Sequence, residues 1–271
     1  MSLSSRSVPQ GRMGRRLTAA GLLMAATATL GACNLQISSQ AEGRSEWKKD
    51  YTLTPGGTLE ILNTNGVIEV DAAEGTKVSI TAERIAKAYT DAEAKQAAEA
   101  IEIRETVSGS SITLDAKVAN TGLFGGNREV RFHVRAPKGT LLKLSNTNGN
   151  IDVRDMTGQL QLATTNGRIR GVNLEGSTRA ETTNGVVDLD YAALGDNGVT
   201  AETTNGRVVV TVPKTVKARV SARVTNGGIT TEGLPLEMTE NSRRRLTATL
   251  NGGGPEIRVE TTNGGVTIRG K

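Results

Sequence analysis

Few residues in this chain could carry covalent chemistry, and they do not come in sets. There is one cysteine, Cys33, and one histidine, His133. A Ser-His-Asp arrangement would have to use His133, which sits inside Phe132-His133-Val134, a run that reads as mid-strand. A strand histidine between apolar neighbours reads as structural. A zinc site needs three or four His, Cys or acidic ligands, so no metal is assigned. Paired carboxylates are the remaining enzymatic route, because enzymes that cut polysaccharides use two acids across the scissile bond. Asp188 and Asp190 share one face of a strand, and Asp152 is expected two repeats away from Asp188. Arg170 lies in the intervening repeat and would pair with them. Sugar sites also favour aromatic platforms, and the chain has two Phe, one Trp and three Tyr. Gly125-Gly126 and Gly252 to Gly254 do not follow a strand-into-helix pattern and are not phosphate loops. The expectation is a non-enzymatic protein with no catalytic residue and no cofactor. A glycan-active enzyme is kept as a remote alternative.

What the chain does repeat is Thr-Asn-Gly. It occurs seven times, at Thr64-Asn65-Gly66, Thr147-Asn148-Gly149, Thr165-Asn166-Gly167, Thr183-Asn184-Gly185, Thr204-Asn205-Gly206, Thr225-Asn226-Gly227 and Thr262-Asn263-Gly264. Three positions after each Asn stands Ile or Val: Ile68, Ile151, Ile169, Val187, Val208, Ile229 and Val266. Four positions before each stands Ile61, Leu144, Leu162, Ala180, Ala201, Ala222 or Val259. Asn-Gly is a turn signal, and the Thr/Val/Ile flanks favour strand with alternating buried and wet positions. The spacing of 18 residues from Asn148 to Asn166 to Asn184, then 21 to Asn205 and Asn226, is that of an array of stacked units. Two architectures fit: a β-solenoid of about two strands per 18–21-residue coil, or a meander of type I′ hairpins. The solenoid is preferred, because stacked Asn side chains can hydrogen-bond from rung to rung. It also stacks Asp152, Arg170 and Asp188 as alternating charges. With so few aromatics the core must be aliphatic.

The N-terminal segment is of another kind. Residues 1–16 are polar and basic; residues 17–32 are apolar and small, too short to span a bilayer comfortably. They end in Leu30-Gly31-Ala32-Cys33, which looks like a bacterial lipobox. Residues 1–32 are therefore expected to be a lipoprotein signal peptide, with Cys33 the lipidation site and the membrane a partner through the acyl anchor. Residues 33–46 read as a tether and 47–271 as the repeat domain. Four of the 33 basic residues (Arg6, Arg12, Arg15, Arg16) lie in the signal, so 29 remain against 28 acids and no nucleic-acid partner is expected. Arg243-Arg244-Arg245 reads as a solvated surface loop.

Residues 90–101 break the β pattern. Thr90 to Glu93 resembles a capping box, and the alanine-rich run after it predicts one inserted helix of about three turns, covering an end or flank of the stack. Residues 110–118 and 128–135 read as strands around a Gly-rich loop, and 232–255 as a less regular stretch. Arg258 to Lys271 is expected to form the open terminal edge, where another protein could add a strand.

Taken together, the lipobox, the helix near 90–101 and the serial Thr-Asn-Gly units with Pro-Lys lead-ins (Pro137-Lys138, Pro213-Lys214) resemble the DUF4097 family of bacterial β-strand-repeat proteins, candidate adhesins. The resemblance covers residues 47–271. It implies an elongated, β-helix-like domain on an exported protein of the bacterial envelope, and it brings no catalytic motif with it. The 18-residue period is also similar to that of calcium-binding β-rolls, but their turn aspartate is missing here, so no calcium is expected. The expected function is a lipid-anchored binding or adhesion-type surface for a glycan, an envelope protein or another surface ligand. The alternative is a periplasm-facing structural or signalling protein that pairs with another protein.

Overall fold

The structure, a computed structural model, describes residues 41–116 and 128–271. The signal segment, Cys33 and the loop at 120–127 with Leu123 and Phe124 lie outside the described residues. The described chain is mostly β with one short helix, and its strands join into one hydrogen-bonded sheet. No described helix is long and apolar enough to cross a membrane.

The strands flanking each Asn-Gly do not pair with each other, as hairpin arms would. Each pairs in parallel with its equivalent in another repeat, and two ladders result. The first runs through β6 (Ser111–Ala116), β2 (Thr58–Asn65), β8 (Leu141–Asn148), β10 (Leu160–Asn166), β12 (Thr178–Asn184) and β14 (Val199–Asn205). It continues into the first halves of β19 (Glu256–Gly270) and β16 (Ala218–Glu232). The second runs through β7 (Arg128–Pro137), β3 (Ile68–Ala73), β9 (Ile151–Arg154), β11 (Ile169–Leu174), β13 (Val187–Tyr191) and β15 (Val208–Val212). It ends on the second halves of β19 and β16. Equivalent residues therefore stand roughly 4.8 Å apart along the stack.

The inward positions of the two ladders meet in one aliphatic core. Of the fourteen residues expected there from the repeat, thirteen are buried. The exception is Ile229, which is half-buried because its strand, β16, lies at the end of the stack.

The order of rungs along the stack differs from their order in the chain at both ends. Near the N-terminal end, β6 and β7 pair on the outside of β2 and β3, which precede them in sequence. At the other end β19, last in the chain, pairs with β14 and β15 on one side and with β16 on the other. Arg258 to Lys271 is thus an interior rung and not the open edge expected from its position in the chain. The terminal rung is β16, whose first half is covered by the antiparallel hairpin of β18 (Arg245–Leu250) and β17 (Leu236–Asn241). The stretch 232–255, expected to be irregular, supplies that hairpin.

Two boundaries also move. The start of the folded part lies before Trp47, because β1 (Ala41–Thr52) pairs with β4 (Lys77–Ala88) from Ala41 onward. The six residues Ala41 to Glu46 belong to the sheet. The helix α1 (Asp91–Glu99) is slightly shorter than expected. Its N-cap is Thr90, whose hydroxyl accepts from the Glu93 N–H at 3.2 Å. It lies on the flank formed by β1 and β4, with Ala94 and Ala98 fully buried and Ile101 buried beyond its end. Gly43 of β1 allows that approach: a Cβ there would sit 2.1 Å from the backbone carbon of Ala94.

Candidate binding surface

The Asn-Gly positions build one continuous element. Each Asn side-chain amide donates to the Asn carbonyl oxygen of the next rung: Asn148 to Asn65, Asn166 to Asn148, Asn184 to Asn166 and Asn205 to Asn184, at 2.8–2.9 Å. The ladder continues through Asn263 to Asn205 and Asn226 to Asn263, both at 2.8 Å. At its far end Asn65 donates to the backbone carbonyl of Arg128. The expected rung-to-rung stacking of these side chains is present, and all seven amides point the same way. Such aligned amides polarise one another, which strengthens each bond.

Glycine follows each Asn for a reason that turn chemistry does not supply. A Cβ on Gly149 would lie 1.7 Å from the Gly66 carbonyl oxygen, and on Gly206 1.7 Å from that of Gly185. The rungs touch backbone to backbone at this corner. At six of the seven corners the residue two before the Asn, buried and unremarked in the sequence, holds the same corner from inside; before Asn226 the place is taken by Val224. Thr164, Thr182, Thr203 and Thr261 donate their hydroxyls to the carbonyls of Gly149, Gly167, Gly185 and Gly206 at 3.0–3.3 Å. Asn63 and Asn146 do so with side-chain amides, to Val130 and Gly66. The signal for this was the doubled Thr-Thr before Asn-Gly, of which one Thr faces inward and one outward.

The outward Thr residues form a second rank. Thr147, Thr165, Thr183, Thr204, Thr262 and Thr225 are all exposed on successive rungs. Two residues earlier stands a rank that reads Ala163, Glu181, Glu202, Glu260 and Arg223 in stack order. Between these ranks runs a shallow groove of about 420 Å³ that crosses the strands. Glu181 and Glu260 are held by the arginines of their own strands, Arg179 and, at 2.8 Å, Arg258. Glu202 has Thr200 in the equivalent place, so the middle of the groove is its most acidic point.

The outer face of the second ladder carries the carboxylates weighed as candidate acids. Asp152, Arg170 and Asp188 stand on adjacent rungs in register, in the order expected. Asp190 is paired with Lys271, from the next rung but one. His133 lies mid-strand in β7, as expected, and faces outward, half-exposed, with its Nδ1 2.9 Å from Glu69. Among the described residues no three His, Cys, Asp or Glu side chains converge as metal ligands. Asp152 is half-buried, and that loss of water, with Glu69 beside it, raises its pKa against the opposing pull of Arg154 and Arg170. A carboxyl whose folded pKa is raised favours the folded state fully below its unfolded pKa, about 4, and loses that contribution as pH rises through the folded value. Asp152→Asn is therefore expected to raise the melting temperature at pH 7 and to leave it unchanged near pH 3. Paired thermal melts at the two values check this.

Residues 155–269 match the family described as Toastrack DUF4097. No curated protein matches the chain. Among solved structures, a candidate cell adhesion protein from Clostridium sporogenes is 15% identical, with 84% of this chain and 100% of that one covered and a TM-score of 0.48. A candidate adhesin from Bacteroides fragilis is 13% identical, covering 84% and 97%, with a TM-score of 0.43. A candidate lipid binding protein from Parabacteroides distasonis is 9% identical, covering 83% and 97%, with a TM-score of 0.32. At these scores the three say nothing further about this chain.

Proposed function

We propose that this chain, whose residues 155–269 belong to the Toastrack DUF4097 family, is a lipid-anchored β-solenoid that presents a non-enzymatic binding surface on a bacterial envelope. The observation that carries the reading is the groove between the Thr and Glu ranks. It repeats the same hydroxyl on successive rungs and the same carboxylate on three of them, Glu181, Glu202 and Glu260, and a repeated surface suits a repeated ligand through many weak polar contacts. The anchor rests on Cys33, the single cysteine, standing directly after Leu30-Gly31-Ala32. An extended glycan chain satisfies both the length of the groove and its hydrogen-bonding character.

The test is a broad glycan and matrix array probed with the wild type and with Thr183→Arg/Thr204→Arg, which fills the groove without touching the core. Binding that is lost in the double variant supports the reading. Binding that survives in it, or a blank array, overturns it.

The second reading, a periplasm-facing protein that pairs with a partner strand, is favoured by β5 (Arg104–Ser108). Among the described residues this strand pairs only with β6, and all five of its residues are exposed, Val107 by 58%. Protease shaving of intact cells, with Cys33→Ser as the unanchored control, separates the two. Digestion without lysis supports surface binding; protection until the envelope is opened supports the periplasmic partner.

A further inference from the structure

The terminal rung carries a cluster of arginines that the rest of the protein leaves uncompensated. Arg223 on β16 and Arg245 on β18 are directly opposite in an antiparallel pair, and both are exposed. Residues so placed have Cβ atoms about 5 Å apart, and like charges there are destabilising. Arg243 and Arg244 adjoin them in a turn that is firmly built. The Ser242 N–H donates to the Arg245 carbonyl at 2.8 Å, and the Arg245 N–H to the Ser242 hydroxyl at 3.0 Å. The carbonyls of Arg243 and Arg244 accept from the N–H groups of Ile229 and Val224 at 3.2 and 2.9 Å. The side chain of Arg243 lies over Gly228, which leaves it room.

Not every arginine elsewhere on the described surface is paired, Arg207 and Arg219 having no carboxylate within 4.0 Å, but Arg44, Arg131, Arg154, Arg179 and Arg258 each have one. None of Arg223, Arg243, Arg244 and Arg245 has one, although acids are near. Glu260, across from Arg223, is engaged by Arg258, and Glu240 on β17 lies only diagonally from Arg245. The domain as a whole is close to neutral, so this is a local excess and not a general basicity.

We propose that this end of the stack binds a phosphate-bearing polymer, with a phosphate bridging Arg223 and Arg245 and further phosphates met by Arg243 and Arg244. The guanidinium fork matches phosphate oxygens two at a time, and a bridging anion turns the Arg223–Arg245 repulsion into attraction. A chain of phosphates suits four arginines spread over a strand pair and a turn better than a single ion does. Arg223 also lines the end of the groove, whereas Arg243, Arg244 and Arg245 lie outside its lining, so phosphate binding here stands whether or not the groove binds a glycan.

The experiment uses the full-length protein in detergent, with long-chain inorganic polyphosphate as the probe and vesicles of anionic lipid as the comparison. The variants are Arg223→Gln/Arg245→Gln and Arg243→Gln/Arg244→Gln, all at exposed positions. The wild type is expected to bind polyphosphate at about 0.15 M salt and to bind less as salt rises. Each double variant should weaken that binding about tenfold. Polyphosphate should raise the melting temperature of the wild type and not of Arg223→Gln/Arg245→Gln, whereas without polymer that variant should melt no lower than the wild type. Unchanged affinity in both variants, or no binding by the wild type, overturns the proposal. Binding to anionic vesicles without binding to polyphosphate overturns it in favour of a membrane contact.

Discussion

Deletion of Val266 to Lys271 is expected to disrupt the whole C-terminal end of the stack, not to trim an edge. Five of the six residues, Val266 to Gly270, form the second half of β19. There Val266 and Ile268 are buried, and the backbone pairs with β15 on one side and with the second half of β16 on the other. Two buried aliphatic side chains contribute about 3–6 kcal/mol as an upper bound, and domains of this kind have about 5–15 kcal/mol in total. The gap also leaves two rows of backbone groups unpaired inside the sheet, each costly if no water reaches it. The chain cannot close the gap by moving β16 inward, because the first half of β19 still separates β16 from β14. The expected result is loss of a single cooperative melt, with early proteolysis between β15 and β18. A truncated protein that melts like the wild type would show that β19 is not an interior rung.

The second large effect is expected from one methyl group. Gly206→Ala places a Cβ 1.7 Å from the Gly185 carbonyl oxygen, at a backbone angle of φ +152° that L residues rarely adopt. The clash is with backbone, at a corner whose flanking strands β14 and β15 are each held on both sides, so no side chain can swing away. Overpacking and backbone strain together are expected to cost roughly 3–5 kcal/mol, a fall in melting temperature on the order of 10 °C. Gly56→Ala is the matched comparison. Gly56 also has a positive φ, +76°, but a Cβ there meets nothing within 4 Å. Its cost is the conformational strain alone, about 1 kcal/mol. Equal losses in the two variants would mean that the rung-to-rung contact is unimportant and that Asn-Gly serves only as a turn.

These two expectations depend on features of unequal legibility. The residues four before and three after each Asn were readable as core, since alternation and period depend only on each strand's own residues. The helix was readable for the same reason: its cap and its alanines are local. Asp152, Arg170 and Asp188 could be aligned because one fixed period separates them. The Thr–Glu groove was half legible: the Thr-Thr doublet was in view, but which Thr faces water is settled only by the strand's orientation against the core.

The seven Thr-Asn-Gly corners, their spacing and the scarcity of aromatics thus determined by themselves that the chain is a β array with an aliphatic core. Tertiary structure alone decided which rung lies beside which. Near-identical repeats offer near-identical edges, so nothing local distinguishes Asn263 stacked on Asn205 from Asn226 stacked there. The choice was made by the β17–β18 hairpin, which covers β16 and leaves the last strand to fill the place beneath it. That same choice set Arg223 against Arg245, from segments 22 residues apart in the chain, and put Arg258 to Lys271 in the interior of the sheet.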